Sequence, residues 1–129
     1  MGCWAIGGEH WGEDGSDARS EATVRAALDH GISWFDTAPI YGFGMSERRL
    51  GKALRGERRE RAFVVSKCGI TWDDEKKVAL DNSAHTTRTM LETSLRDLES
   101  DYIDLYLVHW PDNNCDIRET VEVLVDAKE

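Results

Sequence analysis

The sequence of 129 residues has no long hydrophobic run and no excess of positive charge. No apolar stretch approaches the roughly 20 residues of a transmembrane helix. Residues 1–8 lack the basic start and the apolar run of a signal peptide. The 25 acidic residues outnumber the 16 basic ones, and a net charge of −9 argues against binding to nucleic acid or to an anionic membrane. We therefore expect a globular, cytoplasmic protein with neither of these partners.

Cysteine is also scarce, with three residues at positions 3, 68 and 115 that do not have the spacing of a metal site. Three thiols cannot all pair with one another, which favours a reducing compartment. The histidines at positions 10, 30 and 85 have no ligand spacing either, so we predict no metal. A Cys68–His109 pair of nucleophile and base is an alternative, but strand alternation directs Cys68 to the face opposite Lys67.

Short apolar runs alternate four times with stretches of helical periodicity, over a length that suits a single domain. The predicted strands cover residues 1–8 (or the tail of a strand), 32–35, 62–65 and 102–110. The predicted helices begin at residue 16 or 17, at 46, at 84 and near 116, and the first three end near 30, 56 and 99. Apolar stripes at helical spacing are predicted for the first, second and last of them, at residues 24, 27 and 28, at 50, 53 and 54, and at 117, 121 and 124. A charged connector at 57–61 and loops at 9–15 and 71–83 join them. This order predicts an α/β fold, with a parallel sheet covered by helices.

Polar side chains lie at the carboxyl ends of three of these predicted strands. Asp36 follows the second strand, Lys67 the third, and His109 lies at the end of the fourth; Tyr41 is in the loop after Asp36. Ligands of parallel β/α folds bind at the carboxyl ends of the strands. The spacing therefore predicts that these four side chains meet at one rim of the sheet.

Together the four residues form a reasonable proton donor. A free tyrosine has a pKa near ~10, and a neighbouring ammonium lowers it by favouring the phenolate. A buried lysine needs a carboxylate to stay charged, which Asp36 would supply, and His109 would orient a carbonyl oxygen. Side chains donate no hydride, so a reduction at this site would require a nicotinamide cofactor.

Taken singly, each of these residues has an ordinary structural interpretation, such as a cap, a loop aromatic or a solvated strand end. Only the combination favours catalysis.

Three further features have predicted structural roles. Gly42-Phe43-Gly44 lacks the third glycine of a dinucleotide fingerprint, so we interpret it as a loop that needs a flexible backbone. We expect Trp34 in the core. Asp104 is expected at the opposite end of the sheet or paired with a neighbouring cation.

Four segments resemble the aldo-keto reductase superfamily in order and spacing. They are FDTAPIYG at 35–42 with Ser46-Glu47 and Leu50-Gly51, VSKCG at 65–69, YIDLYLVHWPD at 102–112, and GCWAIGG at 2–8. The resemblance implies a partial TIM (β/α)8 barrel of about four β/α units and an NADPH-dependent reduction of aldehydes or ketones. A complete barrel has about 250 residues, so residues 1–129 would be the N-terminal half, in a single partial domain that is inactive alone.

The resemblance also implies roles for individual residues. Its catalytic tetrad would be Asp36, Tyr41, Lys67 and His109. The nicotinamide end of NADPH would lie near Trp4, Ala5 and Asp36, while Tyr41, Trp72, His109 and Trp110 would line a site for a small carbonyl substrate.

Two alternatives remain open. The chain could be a non-catalytic binding or regulatory module that keeps this fold. Potassium-channel β subunits, which have the aldo-keto reductase architecture, are a precedent for such a use. It could also self-associate through its fourth strand, which would have no neighbour in the sheet.

Overall fold

A computed structural model describes residues 1–8 and 16–128 of the chain; the predicted loop with His10 and Trp11 lies outside these residues. The strands are β1 (Trp34–Asp36), β2 (Phe63–Cys68), β3 (Ile70–Trp72), β4 (Val78–Leu80) and β5 (Leu105–Val108). The helices are α1 (Asp17–Asp29), α2 (Met45–Ala53), α3 (Glu57–Glu60), α4 (Ala84–Asp97) and α5 (Ile117–Asp126), and Ala5–Gly7 forms a 3-10 turn.

Strands β1, β2 and β5 form a parallel sheet in the order β1-β2-β5. Asp36 lies opposite Val65, and Lys67 lies opposite Leu107. The predicted strand at residues 1–8 is reduced to a parallel bridge between Gly2 and Asp36, followed by the 3-10 turn. The prediction is therefore correct only for the start of this segment.

The helices bury an apolar stripe against one face of the sheet. Ser16 caps α1 by accepting a hydrogen bond from the amide of Arg19, and Gly31 follows the helix with φ +86°. The predicted stripes of α1 and α2 are confirmed, and with the sheet they form a core that includes Val24, Ala27, Leu28, Phe35, Leu50, Ala53, Leu54 and Val64. Full burial of a side chain such as Phe35 or Leu50 stabilises the fold by about 2–3 kcal/mol.

Three local predictions are wrong. The segment predicted as a loop at 71–83 contains most of the antiparallel hairpin β3–β4, and the connector at 57–61 contains the single turn of α3. Helix α5 begins after its cap Asp116 as predicted, but it buries Thr120 and Val123. Ile117 and Val121 are each 48% exposed, because α5 contacts α4 through a different face from the one its apolar spacing indicates.

The prediction of a core position for Trp34 is also wrong. Its side chain is 53% exposed on the inner face of the sheet, where it stacks on Phe63 with the ring centroids 4.2 Å apart. Among residues 1–8 and 16–128, no helix covers that face.

Two further observations concern the cysteines and the length of the helices. All three cysteines lie within the described ranges, and each is a free thiol. In the same ranges, none of the helices combines the length and the apolar character needed to cross a bilayer.

Candidate active site

The four residues that were predicted to meet do lie together at the carboxyl end of the sheet. Asp36 is the last residue of β1, Lys67 is next to last in β2, and His109 follows β5. Tyr41 lies in the short loop between Asp36 and the start of α2 at Met45. Parallel strands bring these three ends to one edge, and the loop returns Tyr41 over them.

Lys67 is the centre of the group. Its Nζ donates to Oδ1 of Asp36 at 2.8 Å and to the backbone carbonyl of Thr37 at 2.8 Å. The side chain of Lys67 is 11% exposed, whereas that of Asp36 is 44% exposed. The ammonium is therefore nearly withdrawn from water, and the carboxylate that balances its charge remains accessible.

Three groups surround the ring of Tyr41. The Nζ of Lys67 lies 5.3 Å from its centroid, a distance at which a cation is attracted to the ring. The ring of His109 stands perpendicular to it at a centroid distance of 5.8 Å, and the ring of Trp4 lies 6.2 Å away. The phenol thus lies between a cation and an imidazole.

The surroundings of His109 favour its neutral form. Burial lowers the pKa of His109 below its usual 6.5, and the positive charge of Lys67 lowers it further, against the opposing effect of Asp36. His109 is therefore neutral at pH 7, with one ring nitrogen able to donate a hydrogen bond and the other able to accept one.

Two glycines hold the tyrosine loop against the N-terminal turn. A Cβ on Gly42, which has φ +63°, would lie 2.1 Å from the carbonyl oxygen of Gly7. A Cβ on Gly7 would lie 2.8 Å from the carbonyl carbon of Tyr41. The sequence indicated only a turn-rich loop here, so this backbone contact was not predicted.

The other predicted site residues lie around this centre. Trp72 packs edge-on against Phe43 with centroids 5.4 Å apart, and Trp110, just beyond β5, is 59% exposed. Ala5 is exposed in the 3-10 turn after Trp4. Cys68 is buried toward Thr87 of α4, the side of the sheet opposite Lys67, as the alternation of β2 predicts.

Sequence reasoning missed a set of buried polar residues behind the site. Glu47 and Ser66 are fully buried, and the Oγ of Ser66 donates to Oε1 of Glu47 at 2.6 Å. A signal was available, because Glu47 has the helical spacing of the apolar stripe of α2, three residues before Leu50.

Comparisons with known proteins give the family of the chain. The sequence profile of the Aldo/keto reductase family matches residues 1–129. The chain is 44% identical over 126 residues to "Aldo-keto reductase YhdN" of Bacillus subtilis, covering 96% of this chain and 37% of that protein. It is 39% identical over 143 residues to "NADH-specific methylglyoxal reductase" of Escherichia coli, covering 99% of this chain and 43% of that protein.

A solved structure extends the match to three dimensions. The glycerol dehydrogenase AKR11B4 from Gluconobacter oxydans superposes with a TM-score of 0.86 and 40% identity, over 99% of this chain and 40% of that one. The α/β fold is thus part of a (β/α)8 barrel, as predicted. The chain spans about two fifths of the length of these proteins. With the family profile matching from its first residue to its last, the chain belongs to the aldo/keto reductase family.

Proposed function

We propose that this chain carries the proton-donating side of a carbonyl reductase, which converts aldehydes or ketones to alcohols with a nicotinamide cofactor. The observation that carries the proposal is the position of the Lys67 ammonium, bound to Asp36 and 5.3 Å from the centre of the Tyr41 ring. A cation beside the ring can stabilise the phenolate that forms when the hydroxyl gives up its proton to a substrate.

The proposed roles follow from the chemistry of each group. Tyr41 is the general acid and gives its hydroxyl proton to the carbonyl oxygen of the substrate. Lys67 stabilises the phenolate that remains, and Asp36 keeps Lys67 charged while it is 11% exposed. His109, neutral at pH 7, orients the carbonyl oxygen through a ring N–H. When bound, a reduced nicotinamide supplies the hydride for the carbonyl carbon.

The residues near Tyr41 fit the nicotinamide end of such a cofactor. Trp4 is 51% exposed beside Tyr41 and offers an aromatic surface, with Ala5 exposed next to it. The carboxylate of Asp36 is 44% exposed and could accept hydrogen bonds from ribose hydroxyls. NADPH is the cofactor that the family resemblance implies, and the NADH-specific relative makes NADH the necessary comparison.

We propose a small carbonyl compound as substrate, held between Tyr41, His109, Trp72 and Trp110. Methylglyoxal is the first compound to test, because one relative is named for its reduction.

Two further proposals concern the location and extent of the protein. The free thiols support a cytoplasmic location. We further propose that residues 1–129 form one partial domain and that turnover belongs to a protein containing the remaining barrel.

The test uses two proteins: the 129-residue chain, and a chimaera in which it replaces the matching segment of the Bacillus subtilis relative. Oxidation of NADPH and of NADH is followed with methylglyoxal. In the chimaera, Tyr41→Phe should lower kcat by about 100-fold or more, because it removes the transferable proton. Tyr102→Phe, which precedes β5 at the other end of the sheet, should leave kcat unchanged.

Near-normal turnover by Tyr41→Phe would refute the assignment of the general acid. A folded chimaera that binds NADPH but oxidises none with any carbonyl compound would instead favour the binding or regulatory module.

We also propose that the 129-residue chain self-associates through β5 and the inner face of the sheet. Leu105 and Leu107 are each 37% exposed there, near the exposed Trp34. In the described part of the chain, β5 has a strand neighbour only on its β2 side. Light scattering after size exclusion should give a dimer that Leu107→Glu dissociates, and a stable monomer would contradict the proposal.

A further inference from the structure

A closed ring of contacts joins the candidate site to the buried carboxyl of Glu47. The Nζ of Lys67 donates to the carbonyl of Thr37 at 2.8 Å, and the hydroxyls of Thr37 and Ser46 are 2.9 Å apart. The chain leads directly from Ser46 to Glu47. The hydroxyl of Ser66 then donates to Glu47 Oε1 at 2.6 Å, and the chain leads from Ser66 back to Lys67.

This ring lies almost entirely inside the protein. Thr37, Ser46, Glu47 and Ser66 are fully buried, and Lys67 is 9% exposed. Buried polar groups lose stability when they lose their partners, so the members of such a ring hold one another in place. A change at one member is therefore transmitted to the others through short, directional contacts.

The carboxyl of Glu47 is the member of the ring that changes its protonation state near neutral pH. Burial raises the pKa of Glu47 to about 7, more than the hydroxyls of Ser66 and Ser94 lower it. The charged groups that affect it are Arg48 on α2 and Asp97 on α4, which pair with each other at 2.9 Å. Neither forms an ion pair with Glu47, so ionisation leaves a buried charge without its own cation.

The second oxygen of this carboxyl lies without a hydrogen bond of good geometry among the residues that the structure describes. Within the described part of the chain, Oε2 of Glu47 accepts no hydrogen bond of good geometry, and the nearby hydroxyls of Ser94 on α4 and Tyr106 on β5 form none either. The Ser94 hydroxyl lowers the pKa of Glu47 even so, but burial of the carboxyl raises it by more. The hydrogen bond that Ser66 donates is the one of good geometry on this carboxyl within the described residues.

We propose that Glu47 is a positioning residue, whose carboxyl holds Ser66 and thereby the Lys67 ammonium in place, and whose ionisation shifts that ammonium by strengthening the hydrogen bond that Ser66 donates. The route is the peptide unit between Ser66 and Lys67, whose side chains point to opposite faces of β2. The same shift of Lys67 should change the surroundings of Tyr41 to a smaller extent, since the ammonium lies over the ring of Tyr41. The consequence for proton transfer rests on the proposed function, whereas the link between Glu47 and Lys67 does not.

The test follows the side chain of Lys67 in the 129-residue chain by NMR. Lysine is labelled with ¹³C at Cε, its signal is assigned with Lys67→Arg, and spectra are recorded from about pH 5 to pH 9. The carboxyl carbon of Glu47 is followed in the same samples. We expect a step in the Lys67 signal near pH 7 that coincides with the titration of Glu47.

Three variants test whether the step in the Lys67 signal is caused by the titration of Glu47 or only occurs at the same pH. Glu47→Gln keeps an oxygen for Ser66 but cannot ionise, so the step at Lys67 should disappear. Ser66→Ala removes the contact, so Glu47 should still titrate while Lys67 no longer responds. Glu92→Gln, an exposed carboxyl on α4, is the matched control and should keep the full step.

A step of undiminished size in Glu47→Gln or in Ser66→Ala would overturn the proposal, as would an unresponsive Lys67 while Glu47 titrates in the unmodified chain. If Glu47→Gln does not fold, the comparison of Ser66→Ala with Glu92→Gln gives the answer alone. Any step below pH 6.5 that persists in all variants belongs to His109, whose pKa is lowered. Because no readout is catalytic, a failure here is separate from a failure of the reductase assignment.

Discussion

Arg59 and Asp104 form an ion pair at the end of the sheet opposite the candidate site. The Nη2 of Arg59 lies 2.8 Å from Oδ2 of Asp104, and the same oxygen accepts the backbone amide of Val64 at 2.8 Å. The two side chains are only 13% and 21% exposed. The expectation for Asp104 is thus confirmed in both its parts, and the pair ties α3 to the start of β5.

Replacing Arg59 should cost more stability than an ordinary surface charge. Its guanidinium also donates to the carbonyls of Ala62 and Tyr102, at 2.9 and 3.0 Å. We expect Arg59→Ala to lower the free energy of unfolding by about 2–3 kcal/mol, because it leaves the Asp104 carboxylate partly buried without its cation. Urea denaturation measures this. Arg58→Ala, exposed in the same helix, should change stability by less than about 0.5 kcal/mol, and equal losses would contradict the account.

The contact between Gly42 and Gly7 predicts a severe effect of one added methyl group. In Gly42→Ala the Cβ would meet a backbone oxygen at 2.1 Å, and the residue also has φ +63°. We expect a loss of about 3 kcal/mol or more, with displacement of Tyr41. Gly31→Ala is the control, since Gly31 has φ +86° and no atom near its Cβ position. It should cost about 1 kcal/mol. Similar losses in the two variants would show that the close approach of Gly42 to Gly7 does not determine the loss of stability.

The position of the candidate site could be predicted because it depends on short-range rules. Strand alternation puts Lys67 on one face and Cys68 on the other, and parallel strands bring Asp36, Lys67 and His109 to one edge. These relations need only the order of the strands. The register that sets the 2.8 Å contact of Lys67 with Asp36 is consistent with them, although no spacing along the chain specifies it.

Other features depend on what packs against them, which the sequence does not state. Trp34 has the composition of a core residue, but it lies on an inner face that no described helix covers, so it is 53% exposed. The strands β3 and β4 have three residues each, too few for a periodicity to be recognised. Glu47 has the helical spacing of the apolar stripe of α2, but no spacing along the chain reveals the Ser66 hydroxyl of β2 that donates to its carboxyl.

The buried carboxyl of Glu47 predicts that stability falls as the pH rises toward 7. Its pKa is 4.5 in the unfolded chain and about 7 in the folded one, so the folded state binds the proton more tightly. Between these two values the free energy of unfolding should decrease by up to about 3 kcal/mol. Glu47→Gln should flatten this slope in urea titrations made at several pH values. An unchanged slope in that variant would assign it to other groups.

His109 predicts a dependence of the opposite sign. Its folded pKa is below 6.5, so the unfolded chain binds the proton more readily and stability decreases as the pH falls through that region. NMR titration of its ring nitrogens should give a pKa below 6.5. In Lys67→Met this pKa should rise but stay below 6.5, because burial is the larger cause. Lys52→Met removes a lysine at the end of α2 and should have no effect. A response equal to that of Lys67→Met would contradict the assigned cause.

The pair of Lys67 and Asp36 should show a coupling free energy larger than that of a surface ion pair. Asp36→Asn leaves an ammonium that is 11% exposed without a carboxylate, whereas in a Lys67→Met background the same change affects only a solvated group. We expect a coupling of about 2 kcal/mol from a double-mutant cycle in urea. The pair of Arg55 and Glu99 is the matched comparison, since its side chains are 61% and 38% exposed, and solvent screening should make its coupling clearly smaller. If the two couplings were equal, Asp36 would not be the carboxylate on which the buried ammonium depends, and the assigned role of the pair in stabilising a phenolate at Tyr41 would lose its physical basis.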